Sequence, residues 1–178
     1  ADNPPGWAEQ EMSQESMKPL SEAAAAEYNA LKQQYPDVLI GFEQDGGFEF
    51  YGEDARTVAD VMELDLMKKE IPGGAVDVTG FEADRWRSEL QILWSSGKSI
   101  YLAGLNKDGS HHEVKYLRGE DFLPLNAEIK IDDRDYRIDT VDFVNGTVSL
   151  QDMTMAREAR YPVFRNESIY YVRSYYEE

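Results

Sequence analysis

The stretch from Pro36 to Leu66, PDVLIGFEQDGGFEFYGEDARTVADVMELDL, leaves the fewest options for folding. Val38, Ile40 and Phe42 are spaced by two, Asp45-Gly46-Gly47 supplies turn residues, and Phe48 and Phe50 then alternate with Glu49 and Tyr51. A period of two on both sides of a Gly-rich turn predicts two short strands joined as a hairpin. The alternation places Phe48 and Phe50 toward the core, and Glu49 and Tyr51 toward solvent or another layer. Gly52 ends the pattern. Glu53-Asp54 open a helical run with Ala55, Val58, Ala59 and Met62 at helical spacing, and the acids sit at the positive end of the dipole.

The remaining chain is read around that unit. Residues 1–20 hold Asn3-Pro4-Pro5-Gly6, polar residues and two Met without a period, which predicts a flexible tail with Trp7 as a stray aromatic. Ser21 is the expected N-cap of a helix that begins with the alanine run 22–27 and is stopped by Pro36. Leu64-Asp65-Leu66, basic Lys68-Lys69 and Ile71-Pro72-Gly73-Gly74 follow without an assigned element, and Ala75 to Val78 is expected to be a strand. Ala83 to Ser95 predicts a second helix with Trp86, Leu90, Leu93 and Trp94 as its apolar stripe. Ser99 to Ala103 and His112 to Leu117 flank the turn Asn106-Lys107-Asp108-Gly109 as a hairpin.

Beyond Asp121 no helical period is visible. Glu128 to Ile138 reads as one hairpin, and Val141 to Leu150 as another around Asn145-Gly146. Strand pulses at Pro162–Arg165 and Ile169–Val172 complete a module of four or five strands, a curled sheet or barrel. The expected architecture is a mixed-sheet α/β domain with flanking helices over residues 21–118, followed by a small all-β domain over 121–178.

Charge limits function more than fold. The chain has 18 basic and 35 acidic residues, a net charge of −17. Residues 1–35, 36–116 and 117–178 carry 2, 8 and 8 basic residues against 6, 16 and 13 acidic ones, so no segment is basic. Non-specific DNA affinity comes from Lys and Arg neutralising phosphates, so the chain alone is expected to bind duplex weakly. Zero cysteines exclude disulfides and thiolate metal sites, and fit a reducing cytoplasm. No apolar run approaches the length of a membrane span. The chain starts Ala-Asp-Asn with no basic-then-apolar leader, so a fragment of a longer protein without a signal peptide is expected.

Pro36-Asp37-Val38-Leu39-Ile40 and Phe50-Tyr51-Gly52-Glu53-Asp54-Ala55 stand in register with a pattern of the MutS mismatch repair proteins: P-D-[IV]-L-[LI], a few residues, G-D-F-Y-E-[LF]-[FY], then D-A. Val78-Thr79-Gly80-Phe81 resembles that family's M-A-G-[VF], and Leu90, Leu93 and Gly97 fit its next helix and closing glycine. Residues 22 to 116 thus resemble the N-terminal domain of these proteins, domain I. The resemblance implies mismatched DNA as ancestral ligand, with a Phe wedged into the base stack and a Glu hydrogen-bonding the displaced base. In register, this chain has Gly47-Phe48-Glu49: glycine at the wedge, Phe48 at the Tyr place, and a matching Glu49. These three are the candidate DNA-binding residues. An inserted apolar side chain is what offsets the unstacking cost of a few kcal/mol per step, and glycine inserts nothing. The β-module resembles accessory modules in large multidomain proteins of mobile genetic elements.

Other motifs point to no chemistry. Gly97-Lys98-Ser99 imitates a phosphate loop, but Ile92 stands where its first glycine belongs, and helix precedes strand. No other Walker pattern occurs, so ATP hydrolysis is not expected. His111 and His112 point to opposite faces of a strand and are read as a surface hairpin pair. Asp132, Asp133 and Asp135 lack the spacing and glycine of a calcium loop and are read as a solvated turn. The C-terminal aromatics Tyr161, Phe164, Tyr170, Tyr171, Tyr175 and Tyr176 lack a basic groove and are read as sheet packing. No enzyme, cofactor or metal is expected. The leading expectation is a non-catalytic module of a larger DNA-processing protein, with further domains or a protein partner. A protein-interaction module with base reading lost, or an acidic DNA mimic, are the alternatives.

Overall fold

Residues 17–156 and 161–176 are described by the structure, a computed structural model. Ser21 caps helix α1 (Glu22–Gln34) as expected, its Oγ accepting from the Ala24 N–H at 3.1 Å. Strands β1 (Leu39–Gln44) and β2 (Gly47–Tyr51) form the predicted hairpin, with Phe42 opposite Glu49 and Gln44 opposite Gly47. The turn residues Asp45 and Gly46 both have positive φ, 53° and 84°, as a tight two-residue hairpin turn demands. Helix α2 (Glu53–Met62) follows after Gly52 and buries Ala55, Val58 and Ala59.

The stretch from Leu64 to Gly74, for which the sequence predicts no element, holds a strand. β3 (Met67–Ile71) pairs antiparallel with β4 (Gly74–Glu82) around Pro72-Gly73, and Lys68 and Glu70 are tolerated there because β3 is a sheet edge. A 3₁₀ turn (Ala83–Arg85) takes the first residues of the expected second helix, and α3 (Trp86–Ser95) the rest. β5 (Ile100–Leu105) and β6 (His111–Leu117) complete a six-stranded sheet in the order β3-β4-β2-β1-β5-β6. β1 and β5 run parallel and the other neighbours antiparallel, so the sheet is mixed.

Register divides the sheet into two apolar faces. On one, Ile40, Phe42, Tyr51, Val78, Tyr101 and Ala103 pack with Ala24 of α1 and with Met17 and Leu20. On the other lie Phe48, Phe50, Phe81 and Leu102, on the side of α2 and α3. Gly41 is required by this second face. A Cβ there would stand 2.5 Å from Leu102 Cδ2 and 2.9 Å from Phe50 Cζ. The end of the expected flexible tail is therefore corrected: Met17 and Leu20 are buried, and the Leu20 N–H donates to the Glu70 carbonyl at 2.9 Å. The rest of that tail, Trp7 included, lies outside the described residues.

The chain divides into two units, the first ending at Glu120 and the second beginning at Asp121. The second is an antiparallel four-stranded sheet, β7 (Glu128–Ile131), β8 (Arg134–Asp142), β9 (Thr147–Asp152) and β10 (Phe164–Ser168), in the order β10-β9-β8-β7. Ile129, Ile131, Tyr136, Ile138, Val148 and Leu150 are buried in it. A short helix α4 (Met153–Ala156) follows β9. Ile169–Val172, expected as a strand, belongs to helix α5 (Ile169–Arg173), because the Ser168 Oγ accepts from the Tyr171 N–H and caps a turn there. Among the C-terminal aromatics Tyr161, Phe164 and Tyr170 are exposed, so the sheet-packing reading fails for these three.

Candidate nucleic-acid interface

The three candidate residues lie on β2, a strand hydrogen-bonded to β1 on one edge and to β4 on the other. Gly47 is buried opposite Gln44 and Glu82. The Phe48 ring is 3% exposed and lies 6.1 Å from the Phe81 ring. Glu49 is wholly buried on the α1 side, beside Phe42 and Tyr51. What the bend shows to solvent is Asp45 and Gly46.

Glu49 is engaged at both oxygens. The Tyr51 hydroxyl donates to Oε1 at 2.7 Å, and Lys69 Nζ stands 3.1 Å from Oε1 and 3.4 Å from Oε2. Lys69 reaches across from β3, where it pairs with Val76 of β4, to Glu49 of β2, which pairs with Gly80 of β4. The Lys69 side chain is itself 1% exposed, and its Nζ lies 3.7 Å from Asp45 Oδ2. Burial pushes the Glu49 carboxyl up, against the Lys69 charge and the Tyr51 hydrogen bond, which pull it down. The same burial and the neighbouring carboxylate raise the Tyr51 hydroxyl well above its ordinary value. Lys69 was not singled out in the sequence. Its signal was the alternation Met67, Lys69, Ile71, which puts an ammonium at a core position of an otherwise apolar face.

Two further polar anchors join α1 to the sheet. Lys32 Nζ donates to the Val38 carbonyl at 2.7 Å and to Asp54 Oδ1 at 3.0 Å, while Asp54 Oδ2 accepts from the Ile40 N–H at 3.1 Å. Burial raises the Asp54 carboxyl, opposed by these donors. His111 corrects the surface-pair expectation. Its side chain is 1% exposed, its ring stacks on Phe42 at 3.7 Å, and Nδ1 and Nε2 lie 2.8 Å from Glu27 Oε1 and from the Glu43 carbonyl. His112 is exposed beside Asn106. The Asp132-Asp133 turn has positive φ at both residues, a hairpin turn. Among the described residues no group of three His, Asp or Glu is placed to hold a metal ion, and no helix is long and apolar enough to cross a membrane.

The family model for MutS domain I matches residues 22–117. A DNA mismatch repair protein MutS of Desulfitobacterium hafniense (strain Y51) is 34% identical over 77 residues, 43% of this chain and 9% of that protein. Another, of Christiangramia forsetii, is 25% identical over 93 residues, 52% of this chain and 11% of that protein. The chain thus matches about a tenth of the length of these relatives.

Proposed function

The chain belongs to the MutS domain I family, and we propose that within it this is a non-catalytic module of a larger DNA-processing protein, one that keeps the fold without the base-opening step. The observation that carries this reading is Glu49. At the position where the family resemblance puts the base-reading carboxylate, it is enclosed with Lys69 and Tyr51 inside the sheet–helix layer. Gly47 supplies no wedge, and the Phe48 ring is held against Phe81. Gly47, Phe48 and Glu49 are buried, so whatever contact the 45–49 bend retains with DNA is made by Asp45 and Gly46 with the outside of the helix. The net charge of −17 assigns phosphate holding to other domains or to a partner. A cysteine-free chain suits a cytoplasmic setting, and the second unit suits a large multidomain protein such as those of mobile elements.

The test is an anisotropy titration of labelled matched duplex, mismatched duplex and single strand, at low and at physiological salt. Weak, salt-sensitive binding with equal affinity for both duplexes is expected. A mismatch preference of about tenfold, roughly 1.4 kcal/mol, at physiological salt contradicts the reading. The second reading, a protein-interaction module, is favoured by the acidic surface. A pull-down that recovers nucleic acid and no protein counts against it.

A further inference from the structure

The alanine run that makes α1 a strong helix also leaves one of its sides without bulk. Below it is a cavity of about 540 Å³, walled by Leu20, Ala25, Tyr28, Tyr51, Ile71 and Val76. That volume lies within the range of roughly 300–1,000 Å³ in which proteins hold ligands. The cation at its lining, Lys32, is committed to Val38 and Asp54, and Asp54 to Lys32 and Ile40. Two other lining carboxylates, Glu22 on α1 and Glu53 on α2, are exposed and form no ion pair among the described residues.

From this combination we infer that the cavity docks a segment of a partner protein that inserts apolar side chains between Lys or Arg flanks. The apolar walls take the inserted side chains. Glu22 and Glu53, on separate elements of the rim, take flanking cations, and the field of a chain of charge −17 draws a basic segment in. Nucleic acid does not fit, because its phosphates would meet two carboxylates and no uncommitted cation. The inference concerns the α1–α2 rim and stands independently of what the β1–β2 bend does.

The full chain is titrated with a fluorescein-labelled amphipathic peptide carrying leucines at i, i+3 and i+4 between lysine flanks, and with its glutamate-flanked counterpart. The lysine-flanked peptide binds and the other does not. Ala26→Trp, which fills the cavity from an exposed helix position, weakens binding at least about tenfold, as does Asn29→Trp on the same wall. Glu22→Lys weakens it several-fold, whereas Glu128→Lys, the same charge change on β7, leaves it unaltered. Thermal melts identify a variant that fails to fold, and the other then decides. Equal binding of both peptides, retention by the tryptophan variants, or equal effects of Glu22→Lys and Glu128→Lys overturn the proposal. Displacement by tryptamine at the peptide's own concentration range also overturns it, in favour of a small cationic ligand.

Discussion

At the scale of residues, Glu49 and Lys69 are a buried pair whose members depend on each other. Removing one partner of such a pair leaves an uncompensated charge and costs about 3–5 kcal/mol, whereas replacing both by neutral groups is close to neutral. Urea denaturation of Glu49→Gln and Lys69→Met should therefore show large losses singly, and a double variant far more stable than their sum. Additive losses would mean that the two do not interact. Asp77 behaves differently. Hydrogen bonds from Lys68 and Arg56 hold its carboxyl below the usual carboxylate range. Stability from a lowered carboxyl is present above the unfolded value, near 3.9, and lost as pH falls through the lower folded one. The Tm deficit of Asp77→Asn should be full at neutral pH and shrink in strong acid. A deficit constant across that range would sink the assignment. The position of Glu49 was legible in the sequence from its place beside Phe48. Its burial was not, because its partner Lys69 lies on β3, two strands away in the sheet and twenty residues on in the chain, a contact no local pattern encodes.

At the scale of elements, local chemistry made most of the first unit readable. Ser21, Asp45-Gly46 and Glu53-Asp54 start α1, turn the hairpin and start α2 where the sequence places them. β3 escaped because Lys68, Lys69 and Glu70 mask its alternation, and α5 because Ile169-Tyr170-Tyr171-Val172 has strand composition overruled by the Ser168 cap. His111 was misread because hairpin position alone gives no hint that α1 crosses above it. Since its ring links Glu27 of α1 to Phe42 and Glu43 of β1, His111→Ala should cost about 1–3 kcal/mol and speed hydrogen exchange across residues 22–34. Unchanged exchange there would show that α1 is held without it. Gly41→Ala should destabilise by about 1–3 kcal/mol through its collision with Leu102 and Phe50. A neutral effect in a denaturation curve would show that this face yields.

At the scale of the whole molecule, family and charge point in different directions. The motifs Pro36–Ile40, Phe50–Ala55 and Val78–Phe81, in their order and spacing, made the kinship with MutS domain I readable, and the matched residues 22–117 bear it out. Function was less legible, because kinship fixes the backbone while base reading needs a wedge, a free carboxylate and cations to hold phosphate. In the proposed register a glycine, Gly47, stands at the wedge; the carboxylate of Glu49 is enclosed, and acids outnumber bases 35 to 18. Salt should accordingly abolish what duplex binding the chain has, since that binding is weak from the start and rests on phosphate contacts alone. The most direct measurement places 2-aminopurine beside a mismatch in a short duplex and follows its fluorescence as the chain is added at low salt. The account predicts no change, because nothing on β2 enters the stack. A saturable rise at the mismatch that is absent from the matched duplex would contradict it.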